Sequence, residues 1–397
     1  MTLDTDRFLA DLHTLRKIGA YKTGVHRPTY GPEDMESRRW LMARMAEAGL
    51  VPSMDGIGNV LGRHPSARVL LSGSHIESQN QAGWLDGALG VMAAVALARA
   101  GLAVDAIAFA DEEGHFGSFL GSRSAAGTLD DAEIDAATNR THGQPLRSAL
   151  AEAGLADLTR VPLDRTRYAG FLEMHIEQGT VLERAGERVG VVTGIVAIWQ
   201  YRITILGRQD HAGGTTMAER QDAGLAAVRL LAWIDAEFPR HAAAGTVWTA
   251  GRITLTPGAP SIIPGRAEVL FQFRDLSPDV LRLLDTVLRR AVVESNRRER
   301  TEATLEVLSQ SEPAPCDPLL QDALAGAAQA LVPGQWRSMP SGAGHDAQVM
   351  ARLMPAAMLF VPSIGGTSHH WAENTSDDDL AMGLRVLAEG ARRFLAG

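Results

Sequence analysis

Five short segments carry residue types that bind metals or activate water when they are gathered in space. They are GSHIES with His75, WLDGALG with Asp86, ADEEGHF with Glu112 and Glu113, EMHIEQG with His175, and GGTSHHWAE with His369 and His370. A mixed set of three histidines and two carboxylates suits a pair of borderline divalent ions such as Zn, Mn, Co or Ni, whereas Ca and Mg prefer oxygen alone. A single histidine after a strand is more often a hydrogen-bonded structural residue, so it is the recurrence that points to a site. In Glu112-Glu113, adjacent residues of extended chain point to opposite sides, so one carboxylate can bind metal while the other faces a substrate. With Asp86 bridging two ions, each keeps an open position for water.

Such chemistry needs elements that converge. Apolar spacing predicts a helix on Phe8, Leu12 and Leu15 and another over Met35 to Ala48, closed by Gly49. A strand over Val69 to Ser72, a helix from Asp86 and a strand over Val104 to Ala110 follow, and Gly170 to His175 and Ala356 to Val361 read as further apolar strands. Strands buried on both faces and separated by helices make an α/β layer, a mainly parallel sheet flanked by helices. Most of the five motifs follow such a strand, and the carboxyl ends of parallel strands gather at one edge. Between Val196 and Leu308 the pattern changes to alternating strands, Trp199 to Leu206, Val247 to Leu255 and Ala267 to Phe273, with helices near Ala218 to Ala236 and Pro278 to Arg298. The reading is an inserted α+β domain over 196–308, with 1–195 and 309–397 forming one catalytic domain.

Length and composition fit this plan. A chain of 397 residues exceeds what one core usually serves, and 45% hydrophobic with 21% charged residues is an ordinary globular balance. Thirty-eight basic against forty-seven acidic residues give a net charge of −9, which disfavours nucleic acid and anionic membrane surfaces as partners. The longest apolar run, Gly87 to Ala98, is too short to cross a bilayer. One cysteine, Cys316, and an N-terminal segment without a continuous apolar stretch lead us to expect a reducing cytoplasm.

From Ile18-Gly19-Ala20 through GIGN and GSHIES to SGAGHDA and the terminal helix, the chain resembles the dinuclear metal amidohydrolases that include N-carbamoyl-L-amino acid hydrolases, allantoate amidohydrolases and β-ureidopropionases. These are relatives of the aminoacylase and carboxypeptidase-like metallopeptidases. The resemblance implies a metallopeptidase-like catalytic domain and a lid and dimerisation domain in a homodimer. It implies that His75, Asp86 and His175 hold one metal ion, that Asp86, Glu113 and His369 hold a second, and that Glu112 is the general base. His211, in QDHAGGTTM, would reach the partner's site and stabilise the oxyanion, and Arg274, in FQFRD, would clamp a substrate carboxylate. Gln178, Gly344 and His345 match positions lining the substrate pocket.

Departures from the family pattern bear on the substrate. The usual His-x-Asp is His75-Ile76-Glu77, which lengthens by one methylene the carboxylate that orients a metal histidine. Ser261 stands where an asparagine is usual, Gly214 replaces a residue of HAGTTPM, and His370-Trp371 add bulk at the rim. The expected reaction is hydrolysis of the ureido or amide C–N bond of a small N-substituted amino acid with a free carboxylate, N-carbamoyl amino acids or allantoate-like ureido acids first. The alternatives are an N-acyl amino acid or dipeptide hydrolase, and a binding protein of the same fold without turnover.

Overall fold

The computed structural model describes residues 3–396, and these fall into two compact units. The first runs to Gly194 and resumes at Pro315; the second is Ile195–Ala314. The second unit thus extends beyond the predicted end at 308. Its last strand, Glu302–Gln310, stays paired with Ala197–Leu206, and Ser311 goes on to accept the Ile198 N–H at 2.8 Å. No helix among the described residues is long and apolar enough to cross a membrane.

The first unit is built on a mixed sheet. Its centre is four parallel strands in the order Ala356–Val361, Tyr168–Ile176, Val69–His75 and Val104–Phe109. Val60–Arg63 lies antiparallel beside Val104–Phe109 and Val51–Met54 antiparallel beside Val60–Arg63, while Val189–Ile195 is antiparallel to Ala356–Val361 at the other side. Loop 55–59 is too short for the crossover of a dozen or more residues that a parallel neighbour requires. The central strands are buried almost throughout, as expected of a sheet covered on both faces.

The helix predicted from Asp86 begins two residues later, as Ala88–Arg99, and packs on the strands ending at His75 and Phe109. Gly87 is the reason. It adopts φ +66°, and a Cβ there would lie 2.4 Å from the His75 ring, so the chain turns at glycine and leaves Asp86 in a loop facing the strand ends. All residues from Ala88 to Ala98 are buried, which explains a helix apolar on every side.

The second unit is a four-stranded antiparallel sheet in the order Val247–Thr256, Arg266–Asp275, Ala197–Leu206 and Glu302–Gln310. One face packs Tyr201, Ile203, Val269 and Phe271 with Leu230 and Ile234 of helix Ala223–Glu237 and Leu281, Leu284 and Leu288 of helix Pro278–Arg298. The first of these helices starts at Ala223 rather than Ala218 because Asp222 caps it, accepting the Leu225 N–H at 3.0 Å.

Candidate metal centre

Four strand ends and one loop deliver the donors. His75 is the last residue of its strand, His175 is the penultimate residue of its own, Glu112 and Glu113 follow Phe109, and His369 follows Val361 after the turn Ile364–Gly366. Asp86 stands among them. Its Oδ1 lies 3.1 Å from His175 Nε2 and 3.7 Å from His75 Nε2, and its Oδ2 lies 3.2 Å from His369 Nε2. Glu113 Oε2 is 3.5 Å from the same His369 nitrogen. Two triads that share Asp86 result, His75-Asp86-His175 and Asp86-Glu113-His369, the ligand atoms of each lying within 4.8 Å of one another. A third grouping, Glu173, His175 and His345, is poorer in free lone pairs. Glu173 already accepts from Ser74 Oγ at 2.6 Å and Ala347 N at 2.9 Å, and His345 Nε2 is 2.9 Å from Ser341 Oγ.

Backbone carbonyls set the rings. His75 Nδ1 faces Glu77 O at 3.1 Å and His175 Nδ1 faces Ile176 O at 2.9 Å. A carbonyl only accepts, so the proton sits on Nδ1 and the Nε2 lone pair points at the centre, the orientation a metal ligand needs. The lengthened Glu77 therefore works differently from the expected aspartate. Its main chain takes the imidazole proton, while its carboxylate, 3.9 Å from that ring, turns to other partners.

Glu112 and Glu113 diverge as the sequence suggested. Glu112 Oε2 lies 3.7 Å from His75 Nε2, whereas Glu113 turns to His369 and accepts from Gln79 Nε2 at 2.7 Å. Asp111, at φ +55°, fixes the bend by accepting from His115 N, Phe116 N, Gly117 N and Thr29 Oγ1. Behind the bridge, Glu373 Oε1 accepts the N–H groups of Leu85 and Asp86 at 3.1 and 3.0 Å. Neither Glu373 nor Gln79 follows from motif spacing, because each meets its partner only through tertiary packing.

The electrostatics call for positive charge. Burial pushes Glu112 well above the usual carboxylate range; the facing His75 opposes this, and the carboxylates of Glu113, Asp346 and Asp86 reinforce it. Burial and Asp86 raise Glu113. Burial also works to raise Asp86, but the facing imidazoles of His175, His369 and His75 hold it well below its ordinary value. His369 is drawn up to about 9, first through its bond to Asp86. Buried carboxylates with imidazole lone pairs converging on them form a donor set that divalent transition ions satisfy.

The remaining site residues fall into two groups. Gln178, at φ +59°, donates from Nε2 to Asp86 Oδ2 at 3.2 Å and Ser368 Oγ at 3.0 Å, and its Oε1 is buried without a hydrogen-bond partner. His345, preceded by Gly344, is buried edge-on to His175 with ring centroids 4.5 Å apart. His211, Ser261 and Arg274 belong to the second unit. There Ala212 N donates to Ser261 O at 2.9 Å, which makes His211 and Ser261 neighbours. His211 is exposed, and its Nδ1 accepts from Gly213 N and Gly214 N, leaving the proton on Nε2. Arg274 is half-buried near the end of its strand, and burial lowers its pKa.

An α/β sheet with imidazole and carboxylate donors at the carboxyl ends of its parallel strands is the framework of a metal-dependent hydrolase. Residues 77–393 match the model of peptidase family M20/M25/M40, and the chain belongs to that family. It is 36% identical to an N-carbamoyl-L-amino acid amidohydrolase of Geobacillus stearothermophilus, covering 96% of each chain. It is 33% identical to an allantoate amidohydrolase of Bacillus subtilis over 92% of each. Among solved structures, an amidase of the hydantoinase/carbamoylase family from Burkholderia phymatum matches with a TM-score of 0.93 and 46% identity, over 100% of this chain and 98% of that one.

Proposed function

We propose that this chain is an amidohydrolase that cleaves the linear ureido or amide C–N bond of a small N-substituted amino acid, N-carbamoyl-L-amino acids or allantoate-like ureido acids first. The observation that carries this is the placing of Asp86 between two donor triads with the Glu112 carboxylate beside one of them. Two divalent ions, Zn, Mn, Co or Ni, held by His75, Asp86 and His175 and by Asp86, Glu113 and His369, would polarise the scissile carbonyl and lower the pKa of water toward about 7.

The protein groups do the rest. Glu112, with its raised proton affinity, takes the proton of the attacking water and passes it to the leaving nitrogen. The unpartnered Gln178 Oε1 accepts an N–H of the carbamoyl or amide group. Arg274 grips the substrate carboxylate with its planar fork. His211 donates its Nε2 proton to the developing oxyanion, from the partner subunit of a homodimer. The exposed strand Val247–Thr256 supplies the dimer edge. A cytoplasmic setting suits the lone Cys316.

The test is a panel of N-carbamoyl, N-acyl and ureido amino acids, assayed on chelator-stripped protein reloaded with each of the four metals. Ammonia release marks carbamoyl or ureido cleavage. Turnover of N-acyl substrates alone selects the acyl reading, and metal-loaded protein that cleaves no linear amide overturns the proposal.

A further inference from the structure

Behind the candidate metal donors lies a charged group of which the motifs showed only Glu77. Asp34 and Arg38 sit one turn apart on helix Pro32–Glu47, and both side chains are 0% exposed, as is that of Glu77. Arg38 Nε meets Asp34 Oδ1 at 2.9 Å and its Nη2 meets Glu77 Oε2 at 2.7 Å. Its Nη1 donates to Gly58 O at 2.8 Å and to Phe109 O at 3.3 Å, the latter at the end of the strand that leads to Glu112. Asp34 Oδ2 is itself fixed by the Tyr30 N–H at 2.8 Å.

Glu77 is where this group reaches the site. Its Oε1 accepts the backbone N–H of Glu112 at 2.7 Å, and its carbonyl faces Nδ1 of His75 at 3.1 Å. One residue thus holds the main chain of the proposed base and the ring of a proposed ligand, and is itself held by Arg38. Buried ion groups often contribute no more stability than packed apolar residues would, so three fully buried charges at this sheet edge are better explained by position than by stability. An aspartate would be one methylene short of a span that ends on both the Arg38 guanidinium and the Glu112 amide.

We propose that Arg38, anchored by Asp34, is a positioning residue of the hydrolytic site, acting through Glu77 to fix Glu112 and His75 relative to each other. The inference rests on the proposed hydrolysis for its role in turnover. Arg38→Met removes the cation hydrogen-bonded to both carboxylates, leaving the buried Arg27 as the neighbouring positive charge, and is prone to misfold, so the informative variants keep charge: Glu77→Asp and Arg38→Lys. The control is Asp105→Asn, at the opposite end of the strand that leads to Glu112, where Asp105 is buried against Arg167.

The measurements are the Zn dissociation constant by chelator competition, kcat and KM at saturating metal, and Tm. Both site variants should bind Zn about 10–100-fold more weakly and lose about 10–100-fold in kcat, with KM within roughly threefold of wild type. Asp105→Asn should lower Tm alone. If the site variants also lower only Tm, the group is structural and the proposal is overturned; if Zn affinity falls while kcat at saturating metal holds, the Glu112 half of it is overturned. A wild type that binds Zn but cleaves no linear amide overturns the proposed reaction instead, because Zn affinity still decides the His75 half.

Discussion

Glu112 and Glu113 share a peptide bond and differ in everything the structure adds to it. Glu112 faces His75 among carboxylates that raise its proton affinity, while Glu113 is turned to His369 and tied by Gln79. Glu112→Gln should therefore keep its metal and lose about 10²–10⁴ in kcat, whereas Glu113→Gln should lose metal as well. Metal analysis beside steady-state kinetics separates the two, and wild-type turnover by both would remove the roles given to the pair. Cys316 offers a test outside the donor set. It is 6% exposed, and burial pushes its thiol from 9.0 up to about 12. Because the folded value is the higher, folding favours the protonated thiol; that contribution is complete below pH about 9 and is lost as pH rises toward 12. At pH 9, alkylation by iodoacetamide should be roughly five-hundredfold slower in native than in unfolded protein, read by mass spectrometry. At this scale the candidate donor types were legible, since each lies within a short motif and most follow a strand. Arg38, Glu373 and the redirected Glu77 carboxylate were not, since they act on residues that only folding brings near.

Elements explain why the ligand motifs converge. The strands over Val69–His75, Val104–Phe109, Tyr168–Ile176 and Ala356–Val361 were readable because both their faces are buried, and burial on both faces writes a continuous apolar run. A helix was expected near Pro278 to Arg298 and the structure has it there, capped by Ser277 and with proline at its start. Glu302–Gln310 was not read as a strand although Ala303, Leu305 and Val307 alternate with Glu302, Thr304 and Glu306; the alternation spans only three apolar residues, most of the strand is exposed, and its place is set by pairing with Ala197–Leu206. The same division between core and rim predicts the behaviour without metal. His369 has a side chain 52% exposed and stands in a loop, while the strands beneath pack independently of it. Chelator-stripped protein should keep its far-ultraviolet circular dichroism and a cooperative melt while losing activity, and divalent transition metal should restore it. A stripped protein that is unfolded would mean the ions are part of the fold, as in small zinc domains.

The whole molecule adds what neither unit supplies by itself. The first unit carries the metal donors and the proposed base, while His211 and Arg274, the groups proposed for oxyanion and carboxylate, belong to the second. The second unit also presents a strand, Val247–Thr256, exposed along nearly its whole length, with Val247 and Ile253 each 52% exposed. An unpaired edge of this kind is an aggregation hazard unless a partner covers it, and a two-fold mate covers it with a closed, self-complementary interface. If that interface carries His211 into the partner's site, the enzyme must be a dimer to work, and two dead variants can restore each other. Mixed Glu112→Gln and His211→Ala subunits would form heterodimers in which one site holds both defects and the other holds neither. Random exchange makes half of all dimers mixed, each with one intact site of two, so activity should return to about a quarter of the wild-type value. Subunit exchange is verified by mass spectrometry of differently tagged chains. With exchange proven, no recovery would place His211 in its own subunit's site or outside the reaction, and recovery near a quarter would place it across the interface.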